Sequence, residues 1–258
     1  MNGLRPAVLP LIRSESTKLL TARATWILGG VAILATWPMA WANAASAAGI
    51  APEDPRLFSA EPIPLELQGF EMAGFGYVLV VALAALWAGS EYGDGVQIRT
   101  TLLATPRRTP VFVTKALLVA AATAVIAFLS MWGTVVITHV AGETGVDPWR
   151  LSPTIWANLG GVTAAWTLTA LLAFAGGVLA RTAILPLIGI VPLVIGVGDF
   201  LAGSWTVAKY LPVVAGAGLF SDPAAGVHLD SLTGGLIQAA WTFALLAIAA
   251  IVFVRRDV

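Results

Sequence analysis

VFVTKALLVAAATAVIAFLSMWGTVVITHVA, residues 111–141, carries one charged side chain, Lys115, close to its start. A helix needs about 20 mostly apolar residues to cross a bilayer, and this stretch exceeds that length. Five other stretches read the same way: 25–48, 69–90, 155–180, 183–201 and 236–254. None alternates polar and apolar residues with period two, which argues against a membrane β-barrel. Glu71 and Asp199 stand only at span edges. Composition agrees. The chain has 258 residues, 58% hydrophobic and 11% charged, against about 45–50% and about 25% in an ordinary soluble domain. So few charges could not cover that much apolar surface in water. The balance excludes a soluble globular enzyme and a disordered chain alike. With no Cys, disulfides, thiolate metal sites and cysteine nucleophiles are impossible.

The basic start, an apolar run over 27–35 and small residues over 42–48 have the outline of a signal peptide. The long leading segment and the full-length span favour an uncleaved first helix. Six spans put both termini on one side. On that side fall Arg5, Arg13, Lys18, Arg23, Arg99, Arg107, Arg108, Lys115, Arg181, Arg255 and Arg256. Only Arg56, Arg150 and Lys209 fall on the other. Lys and Arg are enriched in cytoplasmic loops, so both termini are expected in the cytoplasm of a multi-pass protein of the cell membrane.

The expected architecture is all-α and polytopic, one transmembrane domain over 1–258. Before the first span, 8–23 sets Leu11, Ile12, Leu19 and Leu20 among Arg13, Glu15, Lys18 and Arg23. It reads as an amphipathic helix lying on the membrane surface. The loop 50–68 holds four prolines and should be extended. Between spans two and three, 91–108 opens with a Gly93-Asp94-Gly95 break. A short helix over 96–104 then lays Val96, Leu102 and Leu103 against the membrane body. Pro106 ends that helix. Span four repeats a small residue every fourth position: Gly161, Ala165, Thr169, Ala173 and Gly177. One small face lets membrane helices pack closely, within the chain or against a second subunit. Ala85, Gly89 and Gly93 make a shorter stripe on span two. Pro186, Gly189, Pro192, Gly196 and Gly198 should kink or interrupt span five. The segment 202–235 is too apolar for a simple loop, and 205–220 should form one or two short helices, re-entrant or dipping into the outer interface.

The search for chemistry is negative. None of the three lysines follows a glycine, so no P-loop can form. His139 and His228 have no second His at helical spacing, and no metal site is expected. There is no nucleophile elbow, no zinc-protease motif and no acidic pair in mid-membrane for a proton relay.

The organised loop carries a resemblance. Arg13-Ser-Glu-Ser-Thr-Lys-Leu19 with Arg23-Ala-Thr-Trp26, then Glu91-Tyr-Gly-Asp-Gly-Val-Gln-Ile-Arg99, Leu103-Ala-Thr-Pro-Arg-Arg108 and Lys115, resemble type-2 ATP-binding-cassette exporter permeases. Such permeases close span two with an acidic residue, follow it with a glycine turn and an Ile-Arg step, and open span three with Pro-Arg and Lys. The resemblance implies a membrane subunit that is not itself an enzyme. It would pair with a second permease subunit, like or unlike itself. Two separate cytosolic ATPases would bind the ATP and Mg, and no cofactor would sit in this chain. Lipids would surround it, and nucleic acid would play no part. It further implies that 96–104 is a coupling helix, which Glu91 and Arg99 would orient by polar contacts. The ATPase would then touch Glu91, Gly95, Val96, Gln97, Arg99, Thr100, Leu102, Leu103, Pro106, Arg107 and Arg108. The apolar spans suggest an amphipathic or lipid-like cargo such as a drug, a peptide antibiotic or a lipid. A non-transporting polytopic membrane protein, a sensor, immunity or assembly factor, is the alternative.

Overall fold

The computed structural model describes residues 5–47, 64–93, 97–104, 107–220 and 228–256. Among them there is no strand. The helices are α1 (Arg5–Thr21), α2 (Arg23–Leu34), α3 (Thr36–Ala47), α4 (Ala73–Gly89), α5 (Gln97–Ala104), α6 (Arg108–Ala141), α7 (Pro153–Ala180), α8 (Ile184–Pro192), α9 (Gly198–Ser204), α10 (Pro212–Ala217) and α11 (Ser231–Arg255). Six helical stretches among the described residues are long and apolar enough to cross a membrane: Arg23–Ser46, Leu65–Tyr92, Arg108–Ala141, Pro153–Ala180, Ile184–Ser204 and Ser231–Arg255. The protein is thus built as a multi-pass helical membrane protein. Span six begins earlier than the apolar pattern predicts. There Asp230 accepts a hydrogen bond from the Thr233 amide at 3.0 Å, a side-chain cap that starts the helix in its polar lead-in. Ser152 does the same for α7, with Pro153 in the first turn.

α4 and α7 form the centre of the bundle, with α6 alongside; spans one, five and six lie outside them. Small residues make the central contact. All five members of the span-four stripe are buried. A Cβ on Gly177 would lie 2.6 Å from the Ala88 Cβ, and one on Gly161 would overlap the Leu219 carbonyl. Gly89 of the second stripe leaves room for the backbone at Ala183. The first stripe, with Ala85 and Gly89 of the second, serves contacts within the chain, while Gly93 is exposed.

Polar ties add direction to this packing. The Tyr77 hydroxyl lies 2.5 Å from Thr169 Oγ1. The Gln238 amide donates to the same oxygen at 2.8 Å and to the Ala165 carbonyl at 3.0 Å. Tyr77 also stacks on Trp166 with centroids 5.3 Å apart. One turn of α7 thereby holds α4 and α11 at fixed rotation. Hydrogen bonds between membrane helices contribute about 0.6–2 kcal/mol each.

Two spans are interrupted. In span one, α2 ends at Leu34 and α3 begins at Thr36. Pro38 has no N–H for the Leu34 carbonyl. Side chains repair the local loss: Ser130 donates to the Ala32 carbonyl at 2.8 Å, and Thr36 to Ile33 at 3.0 Å. Span five breaks as expected, at Ile195 and Gly196, where Gly196 has φ 110°. Past it, 205–220 forms a 3-10 turn, Thr206–Tyr210, and then α10. Gly216 in α10 accepts the Gln238 side chain flat against its backbone. The short helix is therefore packed onto α11 rather than set in a loose loop.

Gly177→Val should clash with Ala88 and lower the thermal unfolding midpoint in detergent, at a cost of about 1–3 kcal/mol. Gly160→Ala, with open space around the new methyl, should leave the midpoint unchanged or raise it.

Candidate functional site

The expected functional residues gather at the end of the bundle that carries both termini. Lys115 lies in the second turn of α6. Its ammonium donates to Glu15 Oε2 of α1 and, at 2.7 Å, to Glu91 Oε1 just past α4. Lys18, one turn on from Glu15, bonds Glu15 Oε1 at 2.8 Å and reaches Glu91 Oε1 at 3.8 Å. It also donates to Thr101 Oγ1 of α5 at 2.7 Å. The Glu15 side chain is 3% exposed and that of Lys115 13%, so this is a largely buried network. Burial pushes the Glu15 carboxyl up, but the charge and hydrogen bond of Lys115, joined by Lys18, outweigh it and hold the group below its ordinary range.

The network corrects the picture of α1. Glu15, expected on a polar outer face, turns inward with Leu11, while Leu9, Ile12 and Leu20 are exposed. The helix is amphipathic, but its buried side is built on an ion pair. Arg13 and Arg23 remain exposed.

α5 hangs from this network. Ile98 anchors it, fully buried, and Leu102 one turn later is half-buried. Leu103, expected against the membrane body, instead points outward with 84% of its surface exposed, more than any other large apolar side chain among the described residues. Arg99, Thr100 and Ala104 are exposed too. Positions 99 and 103 are one turn apart and share a face. Ile98 takes the inner place instead, with Leu102 one turn on along the same side of the helix. Of the two residues expected to orient α5, Arg99 is exposed, and Glu91 pairs with Lys115 and with Lys18, which in turn bonds Thr101 of α5. Gln97 is exposed at the start of α5. Gly95, Val96 and Pro106 lie outside the described residues.

The basic residues at this end divide. Arg107 is exposed at the entry to α6. Arg108 donates to the carbonyls of Phe253, Val254 and Arg256, closing the C-terminus of α11. Arg256 in turn donates to the Leu179 carbonyl at 3.3 Å, near the end of α7. Cations at helix C-termini satisfy free carbonyls and oppose the helix dipole. Arg108 is thus engaged within the fold, not displayed for a partner. Arg181 sits 5.8 Å from the centre of the Tyr92 ring, a cation–π contact. No cluster of potential metal ligands occurs among the described residues. No family model and no curated protein matches the chain.

Two outcomes follow from the network. Lys115→Met leaves two buried carboxylates facing each other and should cost about 3 kcal/mol, read as a lower unfolding midpoint in detergent. A depressed folded-state pKa contributes stability above the ordinary carboxylate range, lost as pH falls through the folded value. The midpoint should therefore decline on acidification below that range, and less steeply in Glu15→Gln.

Proposed function

We propose that the chain is the membrane-spanning subunit of an ATP-driven exporter of the type-2 ATP-binding-cassette kind, moved by a separate ATPase that binds α5. The reading places both termini and α5 in the cytoplasm and assigns an amphipathic or lipid-like cargo. The observation that carries it is the outward face of α5. A helix of 8 residues outside the spans displays Leu103 and Arg99 to solvent while its other face is fastened to the bundle. An exposed leucine beside an arginine fits a groove on a soluble partner: the apolar side chain supplies the area and the guanidinium the orientation. The chain itself has no P-loop, so work done on a cargo needs an outside source of energy.

The supports extend beyond α5. The loop resembles that of known permeases at Glu91, Arg99 and Lys115. Through Lys18 and Lys115, a push on α5 reaches α1, the end of span two and the start of span three. These hydrogen bonds join α5 to the elements that open and close the spans.

The test is recovery of the tagged protein from native membranes in mild detergent, with identification of what accompanies it. A stoichiometric P-loop ATPase with vanadate-sensitive hydrolysis is expected. Arg99→Asp with Leu103→Asp should reduce its recovery about tenfold or more, as loss of a central interface anchor does. Both residues are exposed, so the variant should fold as the wild type does. Folded protein recovered repeatedly without an ATPase would contradict the proposal and favour a non-transporting role.

A further inference from the structure

Charge at the end that carries both termini is divided between an inside and an outside. Among the described residues the acids at this end are Glu15 and Glu91, and both are buried. Both pair with Lys115 and Lys18, so the network neutralises itself. The charge left exposed around it is basic: Arg13, Arg23, Arg99, Arg107 and Arg255. A surface of one sign collects ions of the other.

Two of these arginines stand on an apolar face. α1 turns Leu11 and Glu15 into the bundle. Leu9, Ile12, Arg13 and Leu20 lie on its other side at helical spacings, and all four are exposed. α2 continues the pattern. Its Thr25 turns inward, where the hydroxyl accepts a hydrogen bond from Trp87 Nε1 at 2.9 Å. Arg23, Trp26 and Ile27 turn outward and are exposed. The Trp26 indole donates to the Leu20 carbonyl at 2.6 Å, which fixes the ring beside the last turn of α1.

Continuity says what covers this face. Span one lies outside α4 and α7, and α2 exposes Ile27, Val31 and Leu34 one turn apart. In a bilayer that stripe meets the acyl chains. The α1 face runs into it through Trp26 and Ile27, so one membrane surface covers both. A tryptophan and long cationic side chains beside apolar residues suit the headgroup boundary, where the ring and the guanidinium reach polar groups while their neighbours stay in hydrocarbon.

We propose that this face binds anionic phospholipid in the leaflet at this end of the bundle, with Arg13 and Arg23 on headgroup phosphates and Leu9, Ile12, Leu20 and Trp26 among the upper acyl chains. The assignment is independent of any ATPase. It also carries a preference. A phosphatidylglycerol head brings a negative charge and no cation. A choline head brings its own cation, and no exposed carboxylate among the described residues at this end receives it.

Native mass spectrometry of the full-length protein, exchanged in detergent against equal amounts of phosphatidylglycerol and phosphatidylcholine, reads the preference. Each arginine near an anionic surface is worth about fivefold, so the wild type should retain phosphatidylglycerol at least about fivefold better. Arg13→Gln with Arg23→Gln should bring the two lipids close to equal retention. Depth is read separately. The chain has no Cys, so a spin label on Ile12→Cys reports from one place in a bilayer containing phosphatidylglycerol. It should be more accessible to oxygen, which concentrates in lipid, than to a water-soluble nickel complex. Equal retention of the two lipids by the wild type would overturn the proposal, whether or not the double variant folds. So would an unchanged preference in the folded double variant. Greater access of the nickel complex at position 12 would put water or a soluble partner on this face and overturn the membrane assignment.

Discussion

A lysine held between two buried carboxylates sets the geometry of one end of this protein. Lys115 cannot be buried without counter-charge, and neither can Glu15 or Glu91. Each residue comes from a different element, so each element must come to the same point. α1 is drawn onto the bundle, span two must stop where Glu91 can reach, and α6 must begin with its second turn turned inward. Lys18 extends the arrangement to α5. A helix of 34 residues is about 51 Å long, more than the ~30 Å hydrocarbon core. α6 therefore has length to spare for carrying this charged end beyond the apolar layer.

Within the layer other forces prevail. Lipid chains are as apolar as leucine, so burying leucine gains little there, and close backbone approach must hold the helices. The stripes on α4 and α7 provide that approach. The Tyr77, Thr169 and Gln238 contacts then select one rotation among the many that small faces would permit. The break in span one shows the same constraint. Proline frees a carbonyl, and neighbouring hydroxyls from α6 and α3 supply bonds nearby that the helix has lost.

This division explains what the sequence revealed. The six spans, the stripes and the break near Gly196 follow from local rules: apolar length, residue size at a spacing of four, and glycine's tolerance of positive φ. The inward Ile98 and outward Leu103 needed only the choice of which face of a short helix turns in, and the apolar pattern of 96–104 permitted more than one. The Glu15–Lys115 contact spans 100 positions of sequence. Periodicity places a residue on a face but does not say which helix stands opposite. Arg108 and Arg256 were legible as cations at a shared end, yet their use as caps for α11 and α7 depends on which helices end beside them. The one available signal was negative: a glutamate between leucines in α1 has no reason to face lipid, and it called for a basic partner.

The absence of cysteine makes the central claim, that charge contacts bind α1 and α5 into one unit, open to a direct distance measurement. Spin labels on cysteines introduced at the exposed positions Ser14 and Thr100 report the separation of the two helices in a reconstituted bilayer. The account predicts one narrow distance distribution in the wild-type background, broadened by Lys115→Met. A broad distribution in the wild-type background, or a narrow one that Lys115→Met leaves unchanged, would contradict it.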